Sequence, residues 1–303
     1  MKKLLFHPFA LLLASCACAE PEVSPRPDVA PIAPEPTQEL APEPEPEALA
    51  PAPETEPESL PAFDQTHAAW TTILAGHVHG TNFDYASLKK NRKAFDAYLT
   101  TLAAVTPKEL AAFSKDEAYA FWINAYNAWT IRLIIDNYPI KSIRKLDKGL
   151  FGSDSIFDRE WIPMSAHHPE GKSDQLSLND IEHEILRKKY TDARVHAAVN
   201  CASESCPPLL NEAFRGKDLQ KQLDRQMRAF VNDAARNTYD GKSYEMRISE
   251  IFKWFKEDFV RDAGSVKKYL LQFANEENAR IISRARQRYQ NYSWDLNDHK
   301  SER

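Results

Sequence analysis

The stretch from Lys115 to Tyr138 limits the possible folds more than any other part of the chain. It reads Lys-Asp-Glu-Ala-Tyr-Ala-Phe-Trp-Ile-Asn-Ala-Tyr-Asn-Ala-Trp-Thr-Ile-Arg-Leu-Ile-Ile-Asp-Asn-Tyr, and its apolar residues fall on every side of a helix. Such a helix cannot leave one flank in water, so other elements must surround it. Glu117, Asn124 and Asn127 are polar residues in that apolar context. The asparagines are three apart and share a face, with Glu117 close to the same stripe. A buried asparagine needs hydrogen-bond partners. Asn127 reads as a clamp on neighbouring backbone; Asn124 either does the same or orients a catalytic histidine.

The rest of the chain from residue 62 supplies material to sheathe that helix. Ala62 to His79 has Trp70, Ile73 and Leu74 on one helical face, and Leu88 to Ala103 is also helical. Thr106-Pro-Lys-Glu109 is a helix start, with a capping box between Thr106 and Glu109. Leu176 to Tyr190 is a helix capped by Ser177 or Asn179 that carries Glu182, His183 and Arg187. Gly216 to Ala235, Glu250 to Phe259 (capped by Ser249), Gly264 to Ala274 and Ala279 to Arg288 follow as helices. Strand signals are short: Val195 to Val199, Ser243 to Ile248 and Tyr289 to Asn297. A polar loop holds His167 and His168, which read as solvated. No Gly/Ser/Pro-rich break divides residues 62–303. The expectation is one α+β domain, rich in helix with a small sheet.

Residues 1–61 are a different material. Met1-Lys-Lys3 followed by Leu4 to Ala14 has the layout of a secretory signal and is too short to span a bilayer. Leu13-Ala-Ser-Cys16 resembles a bacterial lipobox, in which Cys16 is acylated; Ala17 after it points to the outer membrane. The rival is ordinary cleavage after Ala17-Cys-Ala19. Residues 20–61 hold 13 of the 20 prolines and 11 acidic residues against one arginine. Such a segment cannot bury enough surface to offset chain entropy, so it reads as an extended, disordered spacer. The expected location is therefore exported: anchored to the outer membrane by lipid, facing the periplasm or the cell surface.

The formal charge of −5 is uneven. Lys2 and Lys3 contribute +2 and the linker −10, so residues 62–303 carry +3. That near balance excludes a nucleic-acid footprint. With 8 glycines in all, no phosphate-cradling loop appears, and no cofactor is expected.

Reactive side chains concentrate in Arg194-Val-His-Ala-Ala-Val-Asn-Cys-Ala-Ser-Glu-Ser-Cys-Pro-Pro208. Strand alternation there would put His196 and Asn200 on one side and Cys201 on the other. Taken together, five ordered motifs resemble the domain-of-unknown-function 547 family. They are Phe121-Trp-Ile-Asn-Ala-Tyr-Asn-Ala128, Ser177-Leu-Asn-Asp-Ile-Glu-His183, His196 to Pro208, Ile248-Ser-Glu-Ile-Phe-Lys-Trp254 and Tyr292-Ser-Trp-Asp-Leu-Asn297. The resemblance runs from about 83 to 297, and Ser293 stands where an acidic residue is expected. It implies a fold group and no reaction.

Three chemistries fit the central loop. The first is a thiol-dependent hydrolase or acyl transferase acting on amide bonds of peptides or wall fragments. Cys206 or Cys201 is then the nucleophile, His196 or His183 the base, and Glu182, Asn124 or Asp295 the residue that orients the ring. Asn200, Glu204 and Asp295 would contribute to binding, and Ser203 and Ser205 are weaker nucleophiles. The second is a binding or scaffolding module locked by a Cys201–Cys206 disulfide, as an oxidising compartment allows. The third, ranked last, is a metal clip of Cys201, Cys206, His196 and His183, which lacks the tight spacing of structural zinc sites.

Overall fold

The expected central helix forms as α5 (Lys115–Asn137), about 35 Å long. Ser114 accepts from the Glu117 N–H, and the Glu117 carboxylate accepts from the Ser114 N–H, so the capping box sits here. At the preceding helix, α4 (Pro107–Ala112), Thr106 caps as expected. Glu109 does not complete a box, because its Oε1 accepts from Phe63 N at 2.9 Å. Phe121, Trp122, Ile123 and Tyr126 on α5 are all essentially inaccessible. Burying each such side chain contributes about 2 kcal/mol.

The structure, a computed structural model, describes residues 62–149, 153–168 and 175–299. The signal segment with Cys16 and the linker over 20–61 lie outside the described residues. Around α5 pack α1 (Ala68–His77), α2 (Tyr85–Lys90) and α3 (Lys93–Ala104), with a hairpin of β1 (Val78–His79) and β2 (Asn82–Phe83) between α1 and α2. The expected Leu176–Tyr190 helix begins two residues later, at Leu178, and winds as a π-helix over Asp180–Tyr190. Such winding closes i→i+5 rings and recurs at functional sites. Ser177 caps it, donating its backbone N–H and hydroxyl to Asp180 and accepting from the Asp180 N–H.

A second apolar cluster gathers α7 (Leu219–Asn232), α8 (Ile251–Trp254), α9 (Lys256–Ala263), α10 (Val266–Phe273) and α11 (Glu276–Ile282). It abuts a three-stranded sheet of β3 (Thr238–Asp240), β4 (Glu245–Ile248) and β5 (Arg286–Tyr289), in the order β3-β4-β5. The β3 pairing is antiparallel and the β5 pairing parallel. The expected helix over Ala279 to Arg288 is thus half strand. The α+β class holds. Among the described residues no helix is long and apolar enough to cross a membrane.

The central loop departs most from expectation. Val195–Ala198 is not a strand but one helical turn, α6, buried on all sides. A short apolar run in a core cannot be assigned by alternation, and here two alanines favour the helix. Asp192 starts it by accepting from the Arg194 N–H at 2.9 Å.

Candidate functional site

After α6 the chain extends through Val199 and Asn200, then turns sharply at Ala202, whose φ of 62° lies in the left-handed region. A β-carbon is strained there, so the turn has to be held. Asn200 Oδ1 accepts from Ala202 N, and Asn200 Nδ2 donates to Pro207 O, both at 2.8 Å. From α5, Asn127 spans the same corner, donating to Ala198 O at 2.9 Å and accepting from Asn200 N at 2.8 Å. The buried Arg236 donates to Cys206 O at 2.6 Å and to Glu204 O at 2.7 Å. The C-terminal segment closes the far side, with Glu204 N on Asp295 O and Ser203 bridged to Leu296.

So held, the loop points Cys206 at a set of donors. The Cys201 N–H lies 3.1 Å from Cys206 Sγ, and the Tyr292 hydroxyl lies 3.1 Å from it on another side. Tyr292 also reaches Cys201 Sγ at 3.3 Å and Ser203 Oγ at 2.8 Å. Burial pushes the Cys206 thiol up. Hydrogen bonds from Cys201, Ser203, Tyr292 and the Cys201 N–H outweigh that and bring it down to about 6. The hydrogen bond to Cys206 raises Cys201 instead, and burial raises it further. Cys201 therefore stays a thiol and donates, while Cys206 becomes the thiolate. Both are free cysteines, so the disulfide of the scaffolding alternative is not present.

Across a cleft of about 240 Å³, lined by Cys201 and Cys206, stands His196. Strand alternation would have separated His196 from Cys201; the helical turn instead brings ring and thiol to the same cavity. His196 Nε2 lies 2.7 Å from Asp258 Oδ2, and the ring stacks on Phe255 at 3.9 Å. Burial lowers the His196 pKa, opposed by the Asp258 hydrogen bond. Asp258 is raised by burial, but its bonds to His196 and Arg187 hold it well below the usual carboxylate range. An ionised Asp258 makes Nε2 the protonated nitrogen and leaves the Nδ1 lone pair open. Nδ1 is buried with no hydrogen-bond partner among the described residues, 4.0 Å from Glu182 Oε1.

The π-helix brings Glu182 and His183 to the cleft together, and Arg187, five beyond Glu182, reaches Asp258 Oδ2 at 2.7 Å. His183 Nδ1 lies 3.2 Å from Arg187 Nη1.

Four of the expected residues therefore line one cavity with Cys206: Cys201, His196, His183 and Glu182. The others do not. Asn124 is spent on Phe214, donating to its carbonyl at 2.7 Å and accepting from its N–H at 3.0 Å. Asn200 serves the turn. Glu204 and Asp295 are exposed and outside the cleft lining. His167 is not solvated; its Nε2 lies 2.6 Å from Val105 O. The metal set of Cys201, Cys206, His196 and His183 does not converge. Among the described residues, the one cluster with potential ligand atoms within 4.8 Å of one another is Glu160, His168 and Asp180.

Sequence reasoning missed Asp258 and Tyr292. Tyr292 opens the last of the five motifs, in which the expected site residue is Asp295 instead. Asp258 left a weaker signal: an acidic residue beside Phe259 that is buried with it.

Residues 110–231 match the model of the family described as Protein of unknown function, DUF547. That span is shorter than the resemblance read over 83–297. It contains both cysteines, His183, His196 and Glu182, and stops before Asp258 and Tyr292. No curated protein and no solved structure matches the chain.

Proposed function

We propose that the cleft is a thiol-dependent active site, a hydrolase or acyl transferase for amide bonds in peptides or cell-wall fragments. One observation carries the proposal: a donor-surrounded Cys206 sulfur shares a cavity with a histidine whose Nδ1 is unpartnered and whose Nε2 is fixed by a carboxylate. Nucleophile, base and orienting acid are the parts such chemistry needs. In the forward step the Cys206 thiolate bonds the carbonyl carbon, whose C=O pair moves onto oxygen, while His196 Nδ1 holds a proton taken from solvent. The C–N bond then breaks, and the amine leaves with the proton from Nδ1. Water, deprotonated by the same nitrogen, cleaves the thioester, releasing the acid and restoring the Cys206 thiolate. A second amine in place of water gives transfer. The Tyr292 hydroxyl and the Cys201 N–H position and lower the thiol.

The test is alkylation by iodoacetamide as a function of pH, with the labelled residue identified by mass spectrometry. Cys206 is expected to react with a midpoint near pH 6, ahead of Cys201. An inert Cys206 at pH 8 in the folded protein sinks the proposal.

The setting is part of the same proposal. The chain is exported, acylated at Cys16, and holds its domain off the outer membrane on the acidic linker. A mature protein that begins at Glu20 without lipid, as measured by intact mass, would remove the anchor.

A further inference from the structure

Glu182 has no role in the steps above beyond its place near His196, yet it is the unusual charge of the cleft. It is 8 % exposed, and among the described residues no lysine or arginine lies within 4 Å of its carboxylate. Its neighbours are the Tyr126 hydroxyl, which shares a hydrogen bond with it, and the open Nδ1 of His196. The cations nearby are already matched. Arg144 pairs with Asp147 at 2.8 Å and lies over the Trp294 ring, and Arg187 pairs with Asp258 and lies over Phe255. A buried carboxylate without a cation is costly, and the cost is relieved when a ligand supplies one.

The rest of the cleft suits that ligand. Trp254, Phe255, Tyr292 and Trp294 supply aromatic faces to the lining. Trp254 and Trp294 stack 5.9 Å apart, and Tyr292 lies 4.7 Å and 4.8 Å from them. Aromatic faces attract cations through the ring quadrupole, most strongly when water is excluded. Trp254 is 45 % exposed, so its ring is accessible to a ligand. Together these put a carboxylate and an aromatic cluster in the lining of one cleft.

We infer that this cleft binds a primary ammonium group, paired with Glu182 and flanked by the aromatic wall. The substrates of the proposed thiol chemistry then carry such an amine, as a side chain or as the acyl acceptor. The inference deepens the proposed function and rests on it for the word substrate, but the binding itself does not need the thiol.

The experiment uses the full chain carrying Cys206→Ala, so thiol reactivity plays no part. Tryptophan fluorescence is titrated with n-butylammonium and with the neutral isostere 1-butanol at pH 7.5. Saturable quenching by the ammonium, roughly tenfold or more tighter than by the alcohol, is expected for a desolvated charge-assisted contact. Glu182→Gln should remove that preference while keeping the thermal midpoint. Trp254→Ala, at an exposed position, should weaken binding of the ammonium severalfold should the first variant fold poorly. Equal binding of alcohol and ammonium overturns the inference, as does a preference that survives Glu182→Gln. Ammonium binding alongside an unreactive Cys206 in the wild type would retain the ligand class and discard the thiol mechanism.

Discussion

Cys206 and His196 face one cleft, and their surroundings are built from different materials. Around the sulfur the polar groups are neutral: two hydroxyls, a second thiol and a backbone N–H, on a loop tied to α5, Arg236 and the C-terminal segment. Around the imidazole they are ions: Asp258 between Arg187 and Arg261, with Glu182 on the other side. Neutral donors stabilise an anion without adding a net charge that must itself be buried, and they act only at hydrogen-bond range. The ionic wall acts over a longer range and tolerates small displacements. The sulfur side should therefore be sensitive to shape and the histidine side to charge.

The largest test of that contrast is Arg236→Met. It leaves the buried Cys206 carbonyl without its donor and strips the part-buried Glu204 carbonyl as well, and the expected loss is about 4 kcal/mol by denaturant unfolding. A loss under about 1 kcal/mol would mean that the loop does not depend on its clamps.

Acid comes next. His67 is pushed down by burial to about 4, and burial lowers His196 as well. A depressed folded pKa stabilises the protein above the unfolded value near 6.5, and that stability is lost as pH falls through the folded value. The His67 part alone amounts to about 3 kcal/mol between pH 6.5 and 4. His67 has a tyrosine partner, the Tyr98 hydroxyl at 2.8 Å, where His196 has a carboxylate. A thermal midpoint that stays flat between pH 7 and 4 would break this account of both histidines.

Asp258→Asn removes the charge that Arg187, Arg261 and His196 share, with an expected cost of about 2 kcal/mol. Its sharper readout is selectivity: the His196 titration followed by NMR should move, while the Cys206 alkylation midpoint stays near 6. A midpoint that moves with it would show the two walls to be one coupled system.

The smallest effect is Tyr292→Phe, which deletes one donor to the sulfur. The alkylation midpoint of Cys206 should rise by about one pH unit with stability nearly unchanged. No rise would transfer the tuning to Ser203 and the Cys201 N–H.

Legibility followed the range of the interaction. The 115–138 pattern announced α5, because a helix apolar on all sides has few alternatives to full burial. Thr106 and Ser249 marked helix starts through bonds to residues two or three ahead, and both caps formed. Misreadings arose where local pattern is ambiguous. Val195–Ala198 is too short for alternation to separate strand from helix, and residues 279–288 change from helix to strand within one basic run.

The sequence by itself determined that one helix would be sheathed, that the domain would be α+β, and that reactive side chains concentrate between His196 and Cys206. Only the tertiary structure decided the partners. It set Asp258 against His196, 62 positions away, and Tyr292 against Cys206, 86 positions away, while retiring Asn124 to a backbone clamp. Periodicity reports which face of an element is buried. Which side chain meets another across a cavity depends on how elements far apart in the chain pack together, and no local pattern records that.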